Sequence, residues 1–283
     1  MMTIGSVAES KQPLALSWIN VAFFGTFHVV AMLAPWCFSW SALGVTIFLH
    51  WLFGSIGICL GYHRLLSHRS LQITPKWLEY AIVFIGALAM QGGPVFWVAG
   101  HRQHHAYTED VDKDPYSSKR GFWWSHMLWI LYPRSEFYVY DNYRKFAPDL
   151  DRDPYYRWLD RYFLLLQIPL AVLLYLLGGW SFVIYGVFLR AVLLWHSTWL
   201  INSATHLYGY RHFEVEDNSR NLWWAALLTY GEGWHNNHHA HPNVAPAGQR
   251  WWEIDMTWWA IQALQALGLA KKVVLPPTPK VKV

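Results

Sequence analysis

Three short stretches carry most of the candidate chemistry: His63-Arg64-Leu65-Leu66-Ser67-His68, His101-Arg102-Gln103-His104-His105 and His235-Asn236-Asn237-His238-His239. A neutral imidazole nitrogen suits iron, copper and zinc. In H-x-x-H-H the first histidine has partners three and four residues on, so a helix sets all three on one face. The H-x-x-x-x-H pair would diverge on a regular helix, which places one member where the helix ends. With 15 His in 283 residues, chance supplies about 0.04 matches to H-x-x-H-H, so two of them mark a metal site. His206 lies four residues after Asn202, on the same helical face. It raises the candidate ligands to nine, too many for one ion and suited to two. A structural zinc site would close on four ligands, often cysteines. Imidazole-rich ligation with room for oxygen favours iron, while zinc and copper are also accepted. Asn202 is a candidate to hold a metal-bound water, and equally a capping or interhelical polar residue.

Each box stands near the end of a long apolar segment, so the elements that must position the site are membrane helices. Hydrophobic residues make up 54% of the chain and charged residues 14%, against about 25% charged in soluble domains. Twenty Trp and sixteen Tyr suit aromatic belts at two interfaces. The net charge of +4 comes without an arginine-rich patch, which excludes a nucleic-acid partner. Cys37 and Cys59, the two cysteines, fall toward opposite bilayer faces and offer neither a disulfide framework nor a Cys zinc site. No basic n-region leads to a cleavage site, so the first apolar segment is expected to do the targeting.

Apolar runs from Leu14 to Pro35 and from about Phe38 to Leu60 form one predicted hairpin, and runs from Phe163 to Leu177 and from Ser181 to about Ile201 form another. Each run is long enough for about 30 Å of hydrocarbon. The turns at Trp36-Cys37 and Gly178-Gly179-Trp180 carry no charge, whereas Lys11, Arg64, Arg69 and Lys76 flank the first hairpin. The positive-inside rule then puts both termini and all three boxes in the cytoplasm. The run from Leu78 to Gly100 would send the second box to the wrong side if it crossed. Gly92-Gly93-Pro94 interrupts it, and a broken backbone cannot face lipid, so it is expected to be interfacial or re-entrant. Residues 101–162 hold most of the charge, including Glu109, Asp110, Asp112 and Asp114; they are expected to form a cytoplasmic helical region whose charge clusters are solvated. The predicted architecture is an all-α integral membrane protein: four transmembrane helices, a cytoplasmic helical cap holding the histidines, one domain, and flexible ends at 1–13 and 273–283. Arg190, inside the fourth span, should face protein or water. His28, His50 and His196 should hydrogen-bond across helices. His126, His212 and His241 are loop or interface residues, His241 being the closest to a box.

The three boxes resemble those of membrane fatty-acyl desaturases, most closely the Δ9 type, which includes stearoyl-CoA desaturases and bacterial and cyanobacterial acyl-lipid enzymes. The resemblance covers about residues 40–270 and extends to Gly121-Phe122-Trp123-Trp124-Ser125-His126, Asn202-Ser203-Ala204-Thr205-His206-Leu207-Tyr208-Gly209-Tyr210 and Gly231-Glu232-Gly233-Trp234. It implies a di-iron centre on His63, His68, His101, His104, His105, His206, His235, His238 and His239, with Asn202 contacting one iron through water. It implies removal of two hydrogens from an unactivated acyl chain with O2 and two electrons, in a bacterial inner or thylakoid membrane. By the same resemblance Gln91, Trp97, Thr198 and Trp199 match bend positions of a substrate tunnel, and Trp51, three turns before His63, matches the position that blocks its end.

Animal relatives carry an Arg-Asp pair before the second box where this chain has Ala99-Gly100, and a further basic pair where it has Pro133-Arg134. These departures favour an acyl chain in a glycerolipid over acyl-CoA. No fused cytochrome domain is visible, so electrons are expected from a separate protein, ferredoxin before a b-type cytochrome, steered by basic cytoplasmic residues. A membrane hydroxylase or ketolase and a non-enzymatic metal-binding membrane protein are the alternative readings.

Overall fold

The computed structural model describes residues 14–277; the expected loose N-terminus with Lys11, and Lys280 and Lys282, lie outside them. The protein is mostly helical. Helix α1 (Trp18–Ala31) starts at Ser17, whose hydroxyl accepts from the Asn20 N–H. Its 14 residues reach about 21 Å, less than the apolar run suggested, because Ala34–Cys37 tightens into a 3-10 turn with Pro35 in it. Helix α2 (Trp40–Ser67) is long and apolar enough to cross a membrane. It is α-helical to Trp51 and π-wound from Leu52 onward.

A two-residue strand, β1 (Gln72–Ile73), precedes helices α3 (Lys76–Ala87) and α4 (Pro94–Ala106). The run from Leu78 to Gly100 is thus two helices, broken where Gly92-Gly93-Pro94 predicted. Helix α3 packs closely on α2 through small residues: a Cβ on Gly57 would stand 2.7 Å from Gly86 Cα. The broken end of α3 leaves orphan carbonyls, and side chains of the later helices supply their donors. Leu88 O accepts from Arg190 Nη1 (3.1 Å) and Gln167 Nε2 (3.2 Å), and Met90 O accepts from Trp195 Nε1 (2.9 Å). Arg190 is fully buried, over the Phe53 ring at 4.7 Å, and so faces protein.

Short helical turns lead to α5 (Pro154–Tyr162) and to α6 (Gln167–His206), the second helix long and apolar enough to cross a membrane. Helix α6 leaves helical geometry at Gly178 and at Gly179 (φ 63°), the predicted turn. Its arms fold back on each other: a Cβ on Gly186 would meet Leu174 Cδ1 at 2.7 Å, although 12 residues of straight helix would separate them by about 18 Å. Helices α7 (Trp223–Leu228), α8 (His235–Ala240) and α9 (Met256–Ala266) follow.

The expectation of an all-α fold needs one amendment. Strand β2 (Ala270–Lys271) pairs antiparallel with β1, Gln72 opposite Lys271 and Ile73 opposite Ala270. Residues 273–277 do not begin as a loose end, since Val274 N–H donates to Ser70 O and Val274 O accepts from Ala245 N–H, both at 2.8 Å.

Candidate metal centre

The first box depends on winding. His68 N–H donates to His63 O at 3.1 Å, a bond five residues long, so the π-turn brings together side chains that a regular helix would splay. Their rings lie 4.8 Å apart. His68 is the C-cap of this segment, as the spacing predicted. Arg64 fixes the same stretch from the other side: it donates to Asp255 (3.0 and 2.9 Å), to Glu232 (3.0 Å) and to Ala245 O (2.8 Å). The second box lies on α4 and the third on α8. The Asn pair of the third box holds α8 down: Asn236 Oδ1 accepts from the His212 and Phe213 N–H groups, and Asn237 Nδ2 donates to Glu253.

All nine histidines fall into two groups. One gathers His63, His68, His101, His105 and His238, the other His104, His206, His235 and His239, with the facing nitrogens of each group within 4.8 Å of one another. Neither H-x-x-H-H helix gives its three rings to one group. Helix α4 sends His101 and His105 to the first and His104 to the second; α8 sends His235 and His239 to the second and His238 to the first.

The donor set fits a cation. His63 Nδ1 stands 2.8 Å from a Glu232 carboxylate oxygen, His104 Nδ1 bonds Asp114 at 3.0 Å, His206 Nδ1 bonds Glu109 at 3.4 Å and His239 Nδ1 bonds Asp217 at 2.7 Å. A carboxylate facing Nδ1 favours the tautomer with the proton there and leaves the Nε2 lone pair facing the group. His238 Nε2 lies 3.2 Å from His63 Nε2 and 3.0 Å from His105 Nε2, and one proton cannot serve three ring nitrogens. His239 Nε2 is buried without a hydrogen-bond partner among the described residues. A positive ion inside each group resolves both.

Electrostatics follow from burial. It pushes His101, His105, His235 and His238 well below the ordinary imidazole value, their neighbours' charges adding to the effect, and takes His239 to about 4. Burial would raise the Glu232 carboxyl, but Arg64 and His63 outweigh it and hold it at about 2. Asp217 is likewise held well below the carboxylate range against its burial, chiefly by its bond to His239. The charged stretch is therefore not wholly solvated: Glu109 and Asp114 are 4% and 1% exposed because they serve His206 and His104. Sequence reading missed these supporting acids, Glu232 excepted as part of a quoted motif. His241 takes no such role and meets the Phe213 ring edge-on.

An apolar cavity of ≈480 Å³ runs beside both groups, lined by His63, His101, His104 and His235. Asn202 lines it too, and its amide has no hydrogen-bond partner among the described residues. Gln91, Trp97, Thr198 and Trp199 are all in its wall. Trp97 Nε1 donates to Gln91 Oε1 (3.3 Å) and Gln91 Nε2 to Thr198 Oγ1 (2.8 Å), a polar bracket across an apolar space, while Trp97 stacks on His101. Trp51 is not in that wall. It is 37% exposed and packs on Phe48, because α2 turns it outward and presents Gly54 and Ile58 inward. At Gly54 the Tyr230 and Leu194 side chains close in, 2.8 and 2.9 Å from where a Cβ would stand. Tyr230 has φ 59°, and its hydroxyl donates to His50 Nδ1 at 2.5 Å. The other apolar-segment histidines bond across helices as expected: His28 to His196 at 3.0 Å, and His196 on to His126 at 2.9 Å.

Comparison with known proteins agrees with this geometry. A family model described as fatty acid desaturase matches residues 34–270. The chain is similar to an sn-2 palmitoyl-lipid 9-desaturase of Nostoc sp. (strain 36), 72% identical over 274 residues and covering 96% of each chain. It is 50% identical over 272 residues to an sn-1 stearoyl-lipid 9-desaturase of Anabaena variabilis, covering 95% of this chain and 98% of that one. To a chloroplastic palmitoyl-monogalactosyldiacylglycerol delta-7 desaturase of Arabidopsis thaliana it is 43% identical over 262 residues, covering 93% of this chain and 70% of the relative. With its nine imidazoles gathered beside one apolar cavity and a match over most of its length, this chain belongs to the fatty acid desaturase family.

Proposed function

We propose that this protein is a Δ9 desaturase that places a cis double bond in a saturated acyl chain esterified in a glycerolipid. The observation that carries the reading is the apolar cavity with both imidazole groups in its wall. Two iron ions held by the nine histidines would, when bound, supply the oxidation by O2 and two electrons that an unactivated C–H bond requires. The chain's own residues supply the rest. Asn202 is free to hold a water beside the second group. The Trp97–Gln91–Thr198 bracket, with Trp199, bends the cavity past the histidines, and geometry of this kind selects one carbon pair among chemically similar methylenes. The names of the two bacterial relatives support both the lipid linkage and position 9.

The same reading takes the whole chain as one domain in a bacterial inner or thylakoid membrane. Helix α1, helix α2 and the two arms of α6 make four crossings, and α3–α4 is re-entrant. Its donors from Arg190, Gln167 and Trp195 suit a backbone broken at membrane depth. The uncharged turns at Trp36 and Trp180 lie outside, the histidine cap and both termini in the cytoplasm. Electrons come from a separate donor, ferredoxin before a b-type cytochrome.

Expression in a host without monounsaturated lipids tests this directly. Mass spectrometric location of double bonds is expected to find cis-9 monoenes in intact glycerolipids. Oxygenated chains or rings, or no change, would overturn the assignment.

A further inference from the structure

The acyl cavity meets a surface recess of ≈540 Å³, and Tyr143 and Asp160 line both. The rest of the recess is made by Tyr140, Pro154, Arg157, Trp158, Arg161 and Tyr162. Arg157 and Arg161 stand four apart on α5 and share a face. Arg157 donates to the Asp151 backbone carbonyl (2.7 Å) and Arg161 lies over the Tyr162 ring at 5.4 Å; neither has a carboxylate partner among the described residues. The nearby acids are engaged elsewhere. Asp160 accepts from Phe96 N–H (2.8 Å) and Tyr143 Oη–H (2.7 Å), and Asp151 accepts from the Tyr140 hydroxyl and from Arg144 (3.2 Å).

Position supplies a second, independent argument. Trp158 is exposed, and the chain passes at once into the exposed apolar residues Leu164, Leu165 and Ile168 of the α6 approach. An aromatic and basic rim beside a lipid-facing surface is the signature of a membrane interface. Phe163 and Leu164 also line the acyl cavity, so that cavity reaches the bilayer beside the recess. From Gly93, whose missing side chain leaves room for Asp160, helix α4 runs about 12 Å to His101.

We propose that this recess binds the phosphodiester of an anionic glycerophospholipid, Arg157 and Arg161 gripping the phosphate while one acyl chain of the same molecule threads the cavity past the histidines. A planar guanidinium matches phosphate oxygens two at a time, and Asp160, whose oxygens accept from Phe96 N–H and Tyr143 Oη–H, is paired with neither arginine. The proposal rests on the lipid-linked reading above. It also orients the substrate, with its ester end at Tyr143 and its methyl end toward Gly54.

The test is lipid competition on the purified full-length protein by native mass spectrometry, with phosphatidylglycerol, phosphatidylcholine and monogalactosyldiacylglycerol of equal chain length. Phosphatidylglycerol is expected to win on the native protein and to lose about fivefold of its preference per arginine removed in Arg157→Gln/Arg161→Gln. The doubly Lys-substituted variant, Arg157→Lys/Arg161→Lys, keeps the charge and should keep most of the preference, which separates loss of the site from loss of the fold. An unchanged preference in the Gln variant, an equal loss in the distant control Arg250→Gln, or a galactolipid winning on the native protein would overturn the proposal. Double-bond analysis of host lipids is scored separately: preference without desaturation sinks only the earlier reading, and desaturation without the preference sinks only this one.

Discussion

At the scale of single residues, the boxes were legible because ligand type and spacing are local properties of the sequence. The acids behind them were not. Glu109 meets His206 across 97 positions and Asp217 meets His239 across 22, and an Asp in a charged stretch reads as solvated until its partner is known. Such a carboxylate orients its imidazole and raises its basicity, and losing one typically costs 10–100-fold in metal affinity. Asp217→Asn should therefore bind iron about 10-fold or more weakly in a chelator competition titration, while a native-like affinity would mean the contact is idle. A pH dependence follows from the buried rings. Folded, His239 holds out to about 4 and five other box histidines lie well below their ordinary value; unfolded, each takes a proton near 6.5. Below that pH the unfolded chain binds more protons, so stability present above about 6.5 is lost as pH falls toward 4. Unfolding midpoints of the metal-free protein, measured across that range, should decline steadily, and a flat profile would contradict the burial argument.

At the scale of elements, apolar length and an uncharged turn revealed the fold-back at Gly178-Gly179, and Gly92-Gly93-Pro94 revealed the break between α3 and α4. The winding of α2 was not visible, since the sequence carries no period for a π-turn. It matters twice: it brings His63 to His68, and the face it sets turns Trp51 out of the cavity. The resemblance marked Trp51, three turns before His63, as the tunnel's end, whereas the cavity wall at that level holds Gly54 and Ile58. Trp51→Ala should leave the product chain-length profile as it was. Gly54→Ala, which adds a methyl against Tyr230 and Leu194, should favour shorter chains by about tenfold or more in the product ratio. The reverse pattern on gas chromatography would restore Trp51 as the stop. The break itself depends on borrowed donors. Trp195→Phe leaves the Met90 carbonyl buried without one, and should cost about 1–3 kcal/mol in detergent unfolding experiments; no loss would show that the carbonyl finds another partner.

For the whole molecule, helices long and apolar enough to cross a membrane were plain from composition, and a helical region over residues 101–162 was expected, but its individual short turns were not, because they follow contacts rather than periodicity. In a variant lacking Cys37, single cysteines at Trp36 and Trp180 should react with an impermeant reagent from outside the cell, and one at Lys271 only after lysis. Labelling of all three from one side would refute four crossings. The pairing of β1 with β2, and of Val274 with Ser70, joins the end of the first box to a part of the chain synthesised about two hundred residues later. During translation the earliest ligands must wait, inserted but unlocked, until the last helix has left the ribosome. Neither imidazole group is complete while the polypeptide is still unfinished, because each takes members from α8.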